Sequence, residues 1–252
     1  MKTPLILAAL MLAASTASVA AEPDPLADKL SKAMAADIRT EAEVARDKNR
    51  KPLETLQFFG LKENMKVIEL IPGRGWYTKL LAPVLADEGE LIVAVGTRRV
   101  GELLKQPGFD KVAVSSEKAT FTRSTSEPLL YSVAGVDLGK PKADMVLTFR
   151  NYHNLDTESR AEMNEAVFKA LKPGGIYGVV DHTRRHMQDL NRETRRRFDP
   201  VQAILEIQAA GFELVDYSPI HYKPDDELRY EVGRKTVTGN TDRWTLKFRK
   251  PK

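Results

Sequence analysis

The stretch IELIPGRGWYT, residues 68–78, decides the fold. It begins as an apolar run typical of a buried strand, turns at Gly73 and Gly75, and continues into residues that favour a helix. Glycine lets the backbone turn sharply and approach a ligand without a Cβ in the way. A dinucleotide site would carry a third glycine at position 78, where this chain has threonine. The stretch therefore predicts the ligand-binding edge of an open α/β sheet, for a ligand other than a dinucleotide.

Short apolar runs alternate with helical stretches on both sides of this turn, which indicates a mostly parallel sheet with crossover helices. We expect strands at residues 66–71, 91–95, 144–149, 175–180, 212–217 and 243–248, and helices at 25–49, 52–59, 76–85, 157–171 and 192–210. The last two strands are too close for a helical crossover, so they should form an antiparallel hairpin with a long excursion, residues 219–241. Residues 105–142 predict one strand plus a loop or small hairpin.

Composition limits the chemistry that the chain can perform. Its 252 residues are 42% hydrophobic, enough for one sizeable core, and a net charge of +4 permits an anionic ligand without requiring one. The absence of cysteine excludes disulfides and thiolate catalysis, and none of the four histidines has the HExxH spacing, so we expect no metal. We expect an N-terminal helical arm at residues 22–60 and one domain at residues 61–252.

The first residues have the pattern of a signal peptide. Lys2 precedes an apolar run, residues 4–14, that is too short to span a bilayer, and small residues stand at 18–21. We expect a signal peptide at residues 1–21, no membrane span in the mature chain, and a periplasmic or secreted protein.

Several motifs in order resemble class I S-adenosylmethionine-dependent methyltransferases over about residues 45–250. The motifs are the strand ending with Glu69, the turn 73–75, the strand 144–149, LKPGG at 171–175 and AGF at 210–212. More narrowly, residues 46–52, 58–60, 72–78, 81–83 and 149–154 resemble a group of exported predicted methyltransferases of unknown substrate. The resemblance implies a doubly wound, Rossmann-like sheet of seven strands, mostly parallel, with an antiparallel C-terminal hairpin.

The same resemblance implies where S-adenosylmethionine binds. The cofactor would lie beside residues of the first strand and its turn, namely Glu69, Gly73, Gly75, Tyr77 and Thr78. In the family an acidic residue after the second strand binds the ribose hydroxyls. This chain has no carboxylate there, and Thr97 would bind the cofactor by replacing part of that acceptor. Arg74 also stands where related sequences usually have glycine. It either points to solvent or favours a carboxylate or phosphate in the pocket.

The transfer site is expected where the strands at 144–149 and 175–180 end. Asn151 would orient an acceptor, His153 would act as a base near neutral pH, and Asp181 follows the neighbouring strand on the same edge. The alternative is that these groups only satisfy the backbone of the loop. Methyl transfer to an unknown small molecule is therefore the first hypothesis.

The second hypothesis is a protein of this fold without methyl transfer, which binds an anion through Arg74, Arg98 or Arg150, or a protein partner through residues 219–241. The basic run 184–197 also suggests nucleic acid or anionic lipid. It lacks interleaved aromatic residues, so we interpret it as a solvated helix face and expect no nucleic acid.

Overall fold

A computed structural model describes residues 24–116 and 118–252. The predicted signal peptide, residues 1–21, lies outside the described residues. No helix in the described part of the chain is long and apolar enough to cross a membrane.

The strands of the described residues are β1 Lys66–Leu70, β2 Glu90–Ala94, β3 Ala113–Ser115, β4 Thr120–Arg123, β5 Tyr131–Ala134, β6 Ala143–Phe149, β7 Leu171–His182, β8 Glu213–Tyr217 and β9 Arg243–Arg249. Seven of them form one sheet, in the order β3-β2-β1-β6-β7-β9-β8. Strands β4 and β5 form a separate antiparallel hairpin. Strand β9 pairs antiparallel with both β7 and β8, and the pairings from β3 to β7 are parallel. The expected seven-stranded, doubly wound fold is confirmed, as is the pattern expected for residues 105–142.

Helices cover both faces of the sheet. They are α1 Pro25–Met34, α2 Glu41–Val44, α3 Asp47–Arg50, α4 Pro52–Phe59, α5 Thr78–Leu85, α6 Gly101–Leu104, α7 Thr157–Ala170 and α8 Pro200–Ala209. Successive residues of β1 point to opposite faces, so that Val67 packs with α1, α4 and α5 while Ile68 packs with α7 and α8. A strand buried on both faces is apolar at most of its positions, which explains the short hydrophobic runs.

The helix expected over residues 25–49 is wrong as a single element, because Thr40 begins a new one. The Thr40 side chain accepts a hydrogen bond from the backbone of Glu43, and the Glu43 carboxylate accepts one from Thr40 N, which is a capping box. Arg39 stabilises the break by donating to Met34 O at 2.7 Å and by pairing with Asp47. We call residues 39–50 the cover segment, since they lie over the turn that follows β1.

Trp76 attaches the cover segment to that turn. Its indole Nε1 donates to Glu43 O at 3.1 Å. The guanidinium carbons of Arg50 and Arg39 lie 4.2 and 5.1 Å from its ring centroids. Lys79 pairs with the Glu43 carboxylate at 2.8 Å. Aromatic, charged and hydrogen-bonded contacts thus hold the cover segment in place.

The helix expected over residues 192–210 begins only at Pro200. Asp199 caps it by accepting from Val201 N at 2.9 Å, and proline suits the first helical position. Residues 192–197 form turns instead, and Arg197 is fully buried. The interpretation of the basic run as a solvated helix face is therefore wrong.

Arg197 holds the excursion between β8 and β9. Its guanidinium makes two hydrogen bonds of 2.9 Å to Asp226, and both side chains have no exposed area. It also donates to the carbonyl oxygens of Tyr230 and Thr183, each at 3.0 Å. The excursion is thereby fixed against the carboxyl end of β7.

Candidate active site at the ends of β1 and β6

A cavity of about 480 Å³ opens where β1 and β6 end, which is a size typical of small-molecule sites. Chain order on the sheet reverses between these two strands, and open α/β folds bind ligands at such a switch point. The cavity is lined by the β1 turn (residues 69–74, 76 and 77), the β6 loop (149–151, 153 and 154), Glu43 and Arg50 of the cover segment, and Arg99, His182, Arg196 and Val232.

Three neighbouring strands end in left-handed backbone. Ile71, Val95 and Arg150 have φ values of 50°, 63° and 62°. Side chains with a Cβ seldom adopt this region, and β-branched ones least of all. The amides of Ile71 and Arg150 donate to the next strand, at 2.8 Å to Ala94 O and 2.7 Å to Val180 O. Strain of this kind clusters at functional sites, so it supports a site at this edge.

Glu69 places a buried carboxyl group at the floor of the cavity. The residue is 2% exposed, and the Thr78 hydroxyl donates to its Oε2 at 2.6 Å. Burial raises the pKa of Glu69 to about 7, against which the hydrogen bond from Thr78 acts only in part. The group is therefore close to its titration point at neutral pH, and a cationic ligand group would favour its ionised form.

The two glycines of the turn have different surroundings. A Cβ on Gly73 would meet nothing within 4 Å, whereas one on Gly75 would lie 2.4 Å from Leu103 Cδ2. Gly73 therefore faces open space in the cavity lining, and Gly75 packs under α6 and does not line the cavity. Both have positive φ, at 61° and 82°.

The two glycines can be compared by the same substitution. We expect Gly73→Ala to cost about 1–2 kcal/mol of stability, the strain of an alanine with positive φ. Gly75→Ala should cost about 1 kcal/mol more, because its Cβ also collides with Leu103. Urea denaturation of both variants measures the difference, and equal losses would contradict this packing.

Asn151 joins the ends of β1 and β6. Its Nδ2 donates to Ile71 O at 3.0 Å and to Phe149 O at 3.1 Å, so its amide hydrogens satisfy backbone. Its carbonyl oxygen is the part of the side chain that is left for a ligand. The NH2 group of Asn151 thus has the role that the sequence analysis gave as the alternative, which is to bond the backbone of the loop.

His153 and Asp181 form a buried pair. The His153 Nδ1 lies 2.5 Å from Asp181 Oδ1, and Asp181 also accepts from the backbone N of His153 and of His182. A carboxylate can only accept, so Nδ1 carries a proton, and in the neutral ring Nε2 is the nitrogen with the lone pair. His153 lines the cavity, and Asp181 lies behind it with no exposed area. This is the geometry of a base oriented by a carboxylate.

His182 also lines the cavity, with its ring centroid 5.9 Å from that of His153. Burial, together with nearby Arg243, keeps its pKa well below the usual range, so the ring is neutral. Tyr77 and Phe149 also line the cavity, and their rings stack at a centroid distance of 3.5 Å.

The other residues that the sequence suggested lie at different depths. Thr78 acts through Glu69, and Thr97 lies in a partly buried turn outside the cavity lining. The ring of Phe121 packs on Gly96 of that turn. The turn itself contains no carboxylate. The sequence did not place Trp76, Arg196 or Arg243 at the site, because what each contacts depends on segments far away in the chain.

The site can be tested for fit to S-adenosylmethionine. At the methionine end the residues fit, because Glu69 offers a carboxylate and the open backbone of Gly73 allows close approach. At the ribose end the usual carboxylate is missing, and a cofactor there would bind through other groups. The fit is therefore to the amino-acid part of the cofactor.

Solved structures with the same fold were found by comparison. A SAM-dependent methyltransferase from Aquifex aeolicus is 16% identical with a TM-score of 0.57, covering 91% of this chain and 100% of its own. The 1,6-didemethyltoxoflavin-N1-methyltransferase of Burkholderia thailandensis, with 1,6-didemethyltoxoflavin and S-adenosylhomocysteine bound, is 16% identical with a TM-score of 0.53, covering 90% and 87%. The [4+2]-cyclase SpnF is 16% identical with a TM-score of 0.54, covering 90% and 93%.

No protein-family model matches the chain, and no curated protein matches its sequence. The fold and the switch-point cavity define a protein of the class I methyltransferase fold. At these identities the similarity extends to the fold alone.

Proposed function

We propose that this protein is an S-adenosylmethionine-dependent methyltransferase that acts on a small molecule. The observation that carries the proposal is the convergence, in one cavity at the β1–β6 switch point, of Glu69, the open turn at Gly73 and the His153–Asp181 pair. A buried carboxyl group and a base oriented by a second carboxylate serve the two needs of such a reaction, cofactor binding and deprotonation of the acceptor.

Glu69 would bind the ammonium group of the cofactor's methionine part, and Gly73 would let the chain approach it. When bound, the cofactor supplies an activated methyl group. Asp181 holds His153 so that Nε2 can take a proton from the acceptor, and the Asn151 carbonyl oxygen orients the acceptor. Trp76, Tyr77 and the cover segment would cover one side of the bound ligands.

A second candidate is ligand binding without methyl transfer. It is favoured by the turn after β2, which offers no carboxylate for a ribose, and by the arginines in the cavity lining, Arg50, Arg74, Arg99, Arg150 and Arg196. The similarity to a protein named a [4+2]-cyclase is a reminder that one fold supports several reactions.

Direct titration distinguishes the two candidates. We expect S-adenosylmethionine and S-adenosylhomocysteine to release or absorb heat in calorimetry and to stabilise the protein against unfolding. A ligand at one hundred times its Kd adds about 2.7 kcal/mol of stability. The matched control is adenosine alone, which lacks the group that Glu69 would bind. No heat and no thermal shift at about 1 mM of either ligand would contradict the methyltransferase proposal and favour the second candidate, ligand binding without methyl transfer.

A further inference from the structure

Four arginines from distant parts of the chain meet beside the cavity. Arg46 and Arg50 belong to the cover segment, Arg150 directly follows β6 and Arg243 begins β9. We call them the arginine cluster. Arg50 and Arg150 line the cavity itself, and Arg46 lines an adjoining cavity of about 690 Å³ that Arg50 and Arg150 share. Arg243 is 4% exposed and donates to Asn49 O at 2.7 Å, which ties β9 to the cover segment.

The carboxylates near the cluster are already paired with other groups. Asp47 pairs with Arg39, Glu43 with Lys79 and Asp181 with His153. Within the described ranges none of the four arginines has a carboxylate partner.

Several of the cluster's nitrogens are buried and have no hydrogen-bond acceptor among the described residues. They are Arg46 Nε, Arg50 Nε, Arg50 Nη1 and Arg243 Nε. Arg50 rests on the face of Trp76. A buried cation is costly unless it is paired, and neighbouring like charges add to the cost.

The charges of the cluster act on one another. Burial and, next, the charge of Arg150 lower the pKa of Arg50 to about 9, and the same two causes lower that of Arg243 to about 10. These neighbouring positive charges therefore repel one another beside the cavity. An oxyanion would accept the free N–H groups and compensate the charge, since guanidinium forks match carboxylates and phosphates.

We propose that the arginine cluster binds an oxyanion of the methyl acceptor, a carboxylate or a phosphate, and that the acceptor is therefore an acid. That the bound molecule is a methyl acceptor rests on the proposed function, whereas the oxyanion site itself is inferred from the arginine cluster alone. Arg50 and Arg150 contact the oxyanion, and Arg46 and Arg243 add charge behind them. Exposed Arg74 and Arg99 at the rim attract anions to the cavity.

The test uses inorganic phosphate and malonate as probes, in thermal unfolding and calorimetry at constant ionic strength. The variants are Arg150→Gln and Arg50→Gln, and the control is Arg98→Gln, an exposed arginine outside the cavity lining. We expect at least one probe to stabilise the wild type and the control, and each cluster variant to bind it about tenfold more weakly or worse. The tighter probe identifies phosphate or carboxylate.

Two further readouts separate ligand binding from a structural role. Without a probe, Arg150→Gln should raise the Tm by about 3 °C, because it removes repulsion. It should change the Kd of S-adenosylhomocysteine by less than about twofold. If Arg150→Gln weakens the binding of S-adenosylhomocysteine as much as the binding of the probes, the cluster holds the cofactor's carboxylate and the inference is overturned.

The inference also fails if neither probe stabilises the wild type more than it stabilises both cluster variants. Binding of a probe without binding of S-adenosylhomocysteine supports the oxyanion site and overturns only the proposed methyl transfer.

Discussion

Replacement of Arg197 by alanine is expected to lower the free energy of unfolding by about 3–5 kcal/mol. The substitution leaves the buried carboxylate of Asp226 without its cation and removes donors from two backbone carbonyls. Truncation of one partner of a buried pair costs more than the pair contributes, because the other charge stays in the interior. The excursion at residues 219–241 should detach first, since Arg197 connects it to the end of β7.

Urea denaturation measures this loss, and limited proteolysis shows whether cleavage begins within residues 219–241. Arg192→Ala is the matched control, because Arg192 is exposed in the same run and should change stability by less than about 0.5 kcal/mol. A loss below about 1 kcal/mol for Arg197→Ala would show that solvent reaches Asp226 in the folded protein.

Glu69→Gln should stabilise the ligand-free protein at pH 8 and weaken S-adenosylhomocysteine binding about 10-fold to 100-fold, the value of a charge-assisted hydrogen bond. Burial raises the pKa of Glu69 from 4.5 to about 7. Between these values the folded state binds more protons than the unfolded state, so wild-type stability falls as pH rises through this window. Above pH 7 this fall in the free energy of unfolding reaches about 3 kcal/mol. The glutamine variant does not show it, because glutamine does not ionise.

Ligand affinity should change with pH in the opposite direction. The cofactor's ammonium group needs an ionised Glu69, so wild-type affinity should rise about tenfold per pH unit up to about pH 7 and then level off. Calorimetry from pH 5 to 8 checks this, with Glu88→Gln as the control for an exposed carboxylate. Equal pH profiles for the wild type and Glu69→Gln would remove Glu69 from the binding site.

The sheet could be predicted from the sequence because most of its strands are short apolar runs bounded by turn residues, while β9 alternates apolar and polar residues. Residues 144–149 and 243–248 were placed within about one residue of β6 and β9. The helix expected over residues 25–49 failed because apolar residues kept a helical spacing past Thr40, while local capping decided the boundary. The helix predicted over residues 192–210 lacks its first part, residues 192–197, because burial of Arg197 outweighed helix propensity.

The site was only partly visible in the sequence. A glycine turn indicates that a backbone is free to approach a ligand, but not whether a side chain fills the space, and Leu103 fills it at Gly75 but not at Gly73. The His153–Asp181 pair followed from strand ends meeting at one edge. The arginine cluster did not, because residues 46 and 243 meet only through tertiary packing.

Strand β9 comes last in sequence among the seven strands of this sheet in the described residues, yet it lies between β7 and β8. During synthesis the chain therefore makes six of the seven strands of this sheet before the one that completes it. Until Arg243 to Arg249 have left the ribosome, β8 lacks its partner strand in this sheet, β7 is paired with β6 along one edge alone, and the cover segment lacks its bond from Arg243. The support that β9 gives to the ligand site is thus added after the other strands of this sheet have been made, and a premature stop codon at position 243 would remove that support.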